Sequence, residues 1–386
     1  MEKINSLYAA FDTFPAPKGA AVHIKHMTEV LFKRSESACL YVIGGEGLPR
    51  FQQEGNVQIV RFDQKIANLL DRAIAYGVQL SQLIEQQQQL DLVHFRDPWS
   101  GFPILNAQKD KGFKSVYEVN AFPSIELPYA YPQVSAQTLS KIAQQEQLCL
   151  SHCDHIITPS ALTKQQIVQR GIAAEKVTVI ANGADIPEQC DRPLNAPEQY
   201  LVYFGAIQQW QGIDELLRAF RLLQDFSELR LVMCVAKHNR IAKQYLKMAK
   251  KLEIEDRIDW HFGLTQEELQ PWVSHATLSI APLTDCPRNN QQGCCPLKVL
   301  ESMAAATPIV ASNLAVVREL LEDEVTAKLV KPNRPAELAN AIRLLLEHPD
   351  LANEWGLAAQ DRVKEKFTWQ HMASQLNHVY DALILK

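Results

Sequence analysis

Three charged side chains cluster around a predicted helix start in the second half of the chain. Residues 281–312 read as a strand, a polar loop and a helix that begins near Pro296, because proline favours the first helical turn. Backbone N–H groups at such a start have no intrahelical acceptors and can bind an anion. Arg288 and Lys298 add positive charge beside it, and the Glu301 carboxylate can accept hydrogen bonds from sugar hydroxyls. The combination predicts a site for a nucleotide diphosphate-sugar; the alternative is an ordinary strand–loop–helix connection with surface charges.

The elements that must position these groups follow from an alternation of strands and helices along the chain. Short runs rich in β-branched and aromatic residues alternate with helical segments, which predicts parallel sheets covered by helices on both faces. Residues 185–199 interrupt the alternation with three prolines and several charges, as an interdomain linker does. We therefore predict the α/β class, with two doubly wound Rossmann-like domains over 1–187 and 198–367 that face each other across a cleft.

Length and composition limit the function classes. The chain has 386 residues, enough for two or three domains of about 150 residues each. Its 47% hydrophobic and 22% charged residues exclude a disordered or fibrous protein. The net charge of −5 argues against nucleic acid as a partner.

Targeting and redox features favour a cytoplasmic protein. The first residues lack the apolar core of a signal peptide, no run of 18 apolar residues occurs, and we expect the eight cysteines to be reduced thiols. Four basic residues recur at helical spacing in the second half: Arg240, Lys243, Lys247 and Lys250. Such a stripe is either a solvated face or a contact for anionic lipid, so attachment to the inner face of the membrane stays open.

Five segments, in order, resemble the retaining family 4 glycosyltransferases, which have the GT-B fold. The segment PLKVLESMAAATPIVASNLAVVREL is similar to the nucleotide-sugar site of that family. FPAPKGAAVHIKHMTEVL resembles its first glycine loop and helix, and ITPSALTKQQIVQRGIAAEKVTVIANGAD resembles the end of its first domain. YFGAIQQWQGIDELLRAF resembles the opening of the second domain. FTWQHMASQLNHVYDALI resembles the last helix, which the resemblance implies packs back onto the first domain over residues 368–386.

The resemblance implies a donor site in which some expected contacts are missing. Glu301 matches the second Glu of a two-Glu signature and would hold the ribose hydroxyls, but Gly293 replaces the first Glu. The two cations that usually grip the diphosphate correspond to Ala206 and Gln211. We expect other residues to supply that charge: Arg288, Lys298 and Lys237. The remaining donor-side candidates are Leu297, Pro296, Cys295, Gln292, Gly205 and Gly19.

In the first domain the resemblance points to the strand SVYEVNAFPS. The histidine that the family places near the reacting sugar corresponds to Asn120, and Glu118 shares a strand face with it because the two lie two positions apart. We expect both to act at the reacting centre. The acceptor-side candidates are His23, His94, Arg96 and Asp97. For each of these residues the alternative is a polar group with an ordinary structural role at the end of a strand or helix.

The activity that the resemblance implies is transfer of a sugar from a UDP- or GDP-linked donor to an acceptor hydroxyl, with retention of anomeric configuration. In a front-face displacement the protein stabilises charge on the leaving diphosphate, which is the role expected of Lys298 and Arg288. No Asp-x-Asp motif occurs, so we expect no metal site and no cofactor beyond the co-substrate. The acceptor is expected to be a glycan, a lipid-linked sugar or a small molecule. A sugar-nucleotide epimerase of the same fold and a noncatalytic sugar-nucleotide-binding protein stay open as alternatives.

Overall fold

The computed structural model describes residues 3–16, 18–235 and 240–384, which form two compact units. The first unit contains Ala20–Ala181, the described residues up to Ala16 and those from Met372 onward. The second contains Asn182–His371 together with Lys18 and Gly19.

The first unit is built on an eight-stranded sheet. Its strands are β1 Ile4–Thr13, β2 Ser35–Ile43, β3 Phe51–Glu54, β4 Val57–Phe62, β5 Leu92–Phe95, β6 Lys114–Glu118, β7 His155–Thr158 and β8 Val177–Val179. Its helices are α1 Gly19–Lys33, α2 Leu69–Gln86, α3 Pro98–Lys111, α4 Pro123–Ala130, α5 Ala136–His152 and α6 Ala161–Gln169. The strand order is β3-β4-β2-β1-β5-β6-β7-β8, and every pair is parallel except β3 with β4. The order reverses between β1 and β5, so their carboxyl ends form the switch point at which such sheets bind ligands.

The second unit has a six-stranded, wholly parallel sheet. Its strands are β9 Tyr200–Gly205, β10 Arg230–Val235, β11 Ile258–Phe262, β12 Leu278–Ala281, β13 Ile309–Ser312 and β14 Lys328–Val330. Its helices are α7 Ile213–Arg221, α8 Arg240–Lys251, α9 Gln266–Ser274, α10 Leu297–Ala304, α11 Ala315–Arg318, α12 Pro335–Glu347 and α13 Pro349–Lys366, followed by α14 Trp369–Ile384, which continues into the first unit. The strand order β11-β10-β9-β12-β13-β14 is the doubly wound pattern, with its switch point between β9 and β12.

Burial explains why these segments form strands rather than surface loops. The central strands carry continuous apolar runs, and side chains such as Leu7, Phe95, Tyr203 and Met233 are fully buried. A parallel strand covered on both faces requires this composition. The predicted α/β class with two Rossmann-like domains is therefore confirmed.

The segment predicted as a linker, residues 185–199, is irregular and lies against the second unit. His275 Nε2 is 2.8 Å from the Cys190 carbonyl oxygen, and Gln270 Nε2 donates to the Glu188 carbonyl at 2.9 Å. Because of these contacts, the boundary between the two units falls between Ala181 and Asn182.

None of the described helices combines the length and the apolar composition that crossing a membrane requires. The eight cysteines are free thiols, and most of them are buried.

Candidate functional site

Lys298 lies in the first turn of α10, and its side chain reaches the carboxyl end of β9. Its Nζ is buried, 4.0 Å from the centroid of the Tyr203 ring, and has no hydrogen-bond partner among the described residues. A Cβ built on Gly205, which ends β9, would lie 3.7 Å from that Nζ. A buried ammonium without an acceptor is costly. An anionic ligand at the end of β9 would supply the missing acceptor.

Arg288 belongs to a π-helical turn, Arg288–Gln292, where the sequence predicts only a polar loop. Its guanidinium lies over the Trp210 ring, 5.2 Å from the centroid, and its Nη1 donates to Asn289 Oδ1 at 3.2 Å. Asn289 Nδ2 in turn donates to the backbone carbonyls of Trp210, at 3.0 Å, and Thr284, at 2.8 Å. These bonds tie the loop after β12 to the loop after β9.

Burial and charge lower the pKa of Lys298 from its ordinary 10.5 to about 7. The largest cause is loss of water around the amine, and the Arg288 guanidinium lowers the pKa further; Glu301 and Cys294 act in the opposite direction. The two predicted cations therefore interact in one place, at the ends of the switch-point strands of the second unit.

The start of α10 supplies further polar groups to the same place. No side chain caps the helix, and its first intrahelical hydrogen bonds run from Val299 N and Leu300 N to the Pro296 carbonyl, at 3.0 and 3.4 Å. The N–H groups of Leu297 and Lys298 precede these bonds, as the first N–H groups of any helix do. Pro296 occupies the N-cap position, and the carbonyl of Cys295 before it accepts from Asn182 Nδ2 at 2.8 Å. Leu297 lies against Gly19, where an added Cβ would be 2.9 Å from Leu297 Cδ1. Only glycine therefore fits at position 19 without displacing that side chain.

Glu301 lies one turn further along α10 and is half-buried. Gln266, at the start of α9, donates from Nε2 to Glu301 Oε1 at 3.2 Å. Burial raises the pKa of Glu301, while Gln266 and Lys298 act in the opposite direction. One carboxylate oxygen is thus oriented by an amide.

Backbone geometry accounts for the missing carboxylate at Gly293. This residue has a φ of 84° at the end of the π-helical turn, a conformation that favours glycine over any residue with a side chain. The neighbouring Gln292 is buried. At the two other altered positions, Ala206 is exposed and Gln211 is uncharged, so neither contributes positive charge. Lys237 lies outside the described residues.

In the first unit, four candidate residues from α1, β5 and the segments that follow β5 and β6 meet, together with Tyr8 of β1, around the carboxylate of a fifth candidate, Glu118. Glu118 is 1% exposed. Its Oε2 contacts Tyr8 Oη at 2.7 Å and His94 Nε2 at 3.2 Å, and its Oε1 contacts His23 Nδ1 at 3.0 Å, Arg96 Nε at 3.1 Å and Asn120 Nδ2. The sequence predicted that Glu118 and Asn120 share a face, and their side chains are hydrogen-bonded.

The charge states in this cluster follow from burial and pairing. Burial by itself raises the pKa of Glu118, but His23, His94 and Arg96 hold it well below its ordinary value. Burial lowers the pKa of His94, with Glu118 acting against it, so we assign a neutral imidazole. Arg96 has a raised pKa: burial alone would lower it, but Glu118, Tyr8, Asp12 and Asp97 together outweigh that effect.

Glu118 is poorly placed to attack a sugar or accept a proton from one. A carboxylate has about four lone-pair directions, and this one already has five polar neighbours. We therefore assign it the role of holding Arg96, His23 and Asn120 in place.

Asp97 makes different contacts from its neighbours in the sequence. It caps α3, with Oδ1 accepting from Ser100 N at 2.8 Å and Oδ2 from Phe11 N at 2.6 Å. Burial raises its pKa to about 6, although these hydrogen bonds act in the opposite direction. The contacts match the alternative of a polar group at the end of a strand with an ordinary structural role.

Sequence reasoning missed the residues that hold the candidates in position: Tyr8, Tyr203, Trp210, Gln266 and Tyr380. Tyr8 pairs with His94 across β1 and β5, which a correct strand alignment reveals. Tyr380 Oη lies 2.6 Å from His94 Nδ1, across 286 positions of sequence, so no local motif could indicate it. No group of three or more His, Cys, Asp or Glu side chains suited to a metal ion occurs in the described part of the chain.

Comparison with known proteins shows that the sequence of both units is similar to that of glycosyltransferases. The family model for glycosyl transferases group 1 matches residues 188–362, and that for Glycosyltransferase Family 4 matches residues 17–187. A glycogen synthase of Mycobacterium tuberculosis is 25% identical over 312 residues, which cover 80% of this chain and 72% of that protein.

Solved structures share the fold over almost the whole chain. Sucrose-phosphate synthase from Thermosynechococcus elongatus superimposes with a TM-score of 0.81 at 18% identity, covering 99% of both chains. Anabaena HepE, in complex with UDP and glucose, gives a TM-score of 0.75 at 18% identity, over 98% of this chain and 99% of that one. The two family models between them account for both α/β units. The chain belongs to the group 1, family 4 glycosyltransferases and is a glycosyltransferase of the GT-B fold.

Proposed function

We propose that this glycosyltransferase uses a nucleoside diphosphate sugar, UDP- or GDP-linked, and transfers the sugar to an acceptor hydroxyl with retention and without a divalent metal. The observation that carries the proposal is the Lys298 ammonium, buried beside Gly205, for which the described residues offer no hydrogen-bond acceptor. A diphosphate is the ligand that satisfies such a group together with the adjacent Arg288 and the uncapped start of α10.

Each donor-site residue has a distinct role in this proposal. Lys298, Arg288 and the N–H groups after Pro296 bind the diphosphate, and Glu301, oriented by Gln266, accepts from the ribose hydroxyls. Charge on the diphosphate grows as the glycosidic bond breaks, so these groups bind the transition state more tightly than the ground state. With two cations in place, the charge is stabilised without a metal.

The state of Glu118 bears on the route by which retention is achieved, and it favours a front-face displacement over a double displacement. A double displacement needs a free carboxylate as nucleophile, and Glu118 is buried and surrounded by donors. A front-face displacement, in which the leaving diphosphate accepts the proton of the incoming hydroxyl, needs no such group. His23, Arg96 and Asn120 then contact the sugars rather than react with them.

The acceptor in this proposal is a glycan, a small molecule or a lipid-linked sugar, and the protein acts in the cytoplasm. The exposed side chains of Lys243, Lys247 and Lys250 line one face of α8 and suit contact with anionic lipid at the inner face of the membrane. Sedimentation with vesicles containing phosphatidylglycerol, compared with neutral vesicles, tests this part, and equal sedimentation would remove it.

The donor is tested by thermal shift with UDP, GDP and ADP and their sugars, because a ligand that binds only the folded state raises the melting temperature. Glu301→Ala should weaken nucleotide binding, while Glu337→Ala, an exposed carboxylate on α12, should leave it unchanged. Equal affinity in Glu301→Ala and wild type, with the fold intact, would contradict the ribose role.

The reaction is tested by NMR of the products from a donor that binds. We expect the transferred or hydrolysed sugar to appear first in the anomeric form of the donor, at a rate unchanged by EDTA. An inverted product would contradict retention, and activity lost in EDTA and restored by magnesium or manganese would contradict metal independence. Conversion of the donor to another nucleotide sugar would identify an epimerase, and binding without turnover a noncatalytic protein.

A further inference from the structure

The C-terminal helix contributes a buried hydroxyl to the polar cluster of the first unit. Tyr380 is fully buried, and its Oη lies 2.6 Å from His94 Nδ1. His94 is also fully buried, and its other ring nitrogen, Nε2, lies 3.2 Å from Glu118 Oε2. The imidazole therefore connects the last helix to the carboxylate that holds Arg96 and His23.

The proton positions along the row of side chains Tyr380, His94 and Glu118 follow from the chemistry of its two ends. Glu118 is ionised and can only accept, and His94 Nε2 lies 3.2 Å from its Oε2, so we place the imidazole proton on Nε2. In a neutral imidazole the other nitrogen, Nδ1, is then an acceptor. Burial keeps the Tyr380 phenol protonated, because it raises its pKa well above the ordinary value. Tyr380 therefore donates to His94 Nδ1 and selects one tautomer.

The helix register that places Tyr380 is fixed by Arg34, which follows α1. The Arg34 guanidinium lies over the Tyr380 ring, 5.4 Å from its centroid. Its Nη1 donates to Asn377 Oδ1 at 3.0 Å, and its Nη2 pairs with Asp381. Because Asn377 and Asp381 lie on either side of Tyr380 in the sequence, their contacts with Arg34 fix the part of the helix that carries the Tyr380 hydroxyl.

We propose that Tyr380 is a positioning residue for sugar transfer, which acts through the tautomer and charge of His94 on Glu118 and so on Arg96 and His23. The proposal rests on the proposed function, in which those last two side chains contact sugar. Removing the hydroxyl leaves His94 Nδ1 without its partner in either protonation state, because the neutral nitrogen loses a donor and a protonated Nδ1–H would lose an acceptor. The tautomer of His94 is then no longer selected, which loosens its contact with Glu118 and, through Glu118, the positions of Arg96 and His23.

The groups that face His94 come from every element around it. They are Glu118 from β6, His23 from α1, Arg96 after β5, Tyr8 from β1 with its ring centroid 4.8 Å away, and Tyr380 from α14. Among these groups, Tyr380 alone is distant in sequence from the residues that we propose contact the sugars. It reaches Glu118 only through His94. Tyr380→Phe therefore perturbs His94 without removing a group that touches the carboxylate.

The test compares Tyr380→Phe with Tyr41→Phe in the full chain. Tyr41 is a matched control, because it is a fully buried tyrosine of the same unit whose hydroxyl donates to the Tyr76 backbone carbonyl at 3.2 Å. Histidine side chains labelled with ¹⁵N report the tautomer and titration of His94, whose signal is identified by its loss in His94→Gln. This measurement needs no donor sugar.

We expect wild type and Tyr41→Phe to show His94 as the Nε2–H tautomer, and Tyr380→Phe to show a changed Nδ1 signal and titration at lower pH, because a protonated Nδ1–H then has no acceptor. With the nucleotide sugar found by thermal shift, kcat of Tyr380→Phe should fall about tenfold, the equivalent of one neutral hydrogen bond. The acid limb of its pH profile should move to lower pH. The affinity for UDP or GDP, which we place in the second unit, should stay unchanged.

An unaltered His94 signal in Tyr380→Phe would overturn the proposal, as would an altered signal with unchanged kcat and pH profile. A fall in melting temperature alone, matched by Tyr41→Phe, would assign the hydroxyl to stability only. A wild-type chain that turns over none of the nucleotide sugars would overturn the proposed function itself, and with it the role of Tyr380 in turnover.

Discussion

Raising the pH should weaken binding of the donor, and the substitution Lys298→Arg should remove that dependence. The pKa of Lys298 is lowered to about 7, chiefly by burial of its amine, so the neutral form predominates in the free protein at alkaline pH. A diphosphate binds the charged form, so binding must take up a proton once the pH exceeds that pKa. An arginine at this position stays charged throughout the range.

The size of the expected change in Kd follows from two opposing effects on the pKa of Lys298: burial lowers it, and the nearby Tyr203 ring raises it. Each pH unit above the pKa costs about 1.4 kcal/mol, or tenfold in Kd. The Tyr203 ring, 4.0 Å away, stabilises the desolvated ammonium by about 2 kcal/mol. This free energy is equivalent to about 1.5 pH units, so the pH at which Kd begins to rise lies between about pH 7 and about pH 8.5. From pH 8.5 to 9.5 we therefore expect Kd to rise about tenfold.

The assay is calorimetry with a nucleotide sugar, whose diphosphate has no titrating proton in this range. Titrations at one pH in two buffers with different heats of ionisation count the protons taken up, and circular dichroism confirms the fold at each pH. The reasoning is refuted if wild-type Kd is constant from pH 6 to 9.5, or if Lys298→Arg shows the same slope. A diphosphate held away from Lys298 would give either result.

The remaining predictions concern turnover and packing. Lys298→Ala should lower kcat by about 100- to 1000-fold with a smaller change in donor binding, because its charge acts mainly in the transition state; steady-state kinetics check this. Arg288→Ala should act in the same direction, and near-normal kcat in both variants would place the catalytic charge elsewhere. Gly101→Ala should destabilise the first unit by about 1–3 kcal/mol, since its Cβ would lie 2.5 Å from Phe95 Cε2. Gly77→Ala, in α2 with ordinary contacts only, should leave the melting temperature unchanged or slightly higher.

The sequence predicted most of the fold because its strands are buried and its helices are long. The four central strands of the second unit correspond to apolar runs such as QYLVYFGA, since parallel strands covered on both faces leave no polar face. The elements it did not predict are short or exposed: β3 Phe51–Glu54, α4 Pro123–Ala130 and α11 Ala315–Arg318. β3 pairs only with β4 at the edge of the sheet, where no apolar pattern is required.

The candidate site was predictable in its residues but not in its contacts. Helix-start chemistry pointed to Lys298 and Arg288, and the structure brings them together because β9 and β12 are neighbours. The sequence could not indicate that Glu118 is enclosed by donors, since those donors come from four separate segments. Nor could it predict Tyr380, whose position depends on where the last helix packs.

The loop after β9 has a neutral Ala206 and Gln211, while the positive charge near the end of that strand comes from α10 and from the π-helical turn. Judged by the residues at those two motif positions alone, the end of β9 would be taken to lack positive charge. The charge at this place is instead a property of several segments that meet in space, so one segment can lack a cation while another supplies it. For enzymes of this fold, the electrostatics near the ends of β9 and β12 therefore depend on where the charges lie in space and not on the residue at any one motif position.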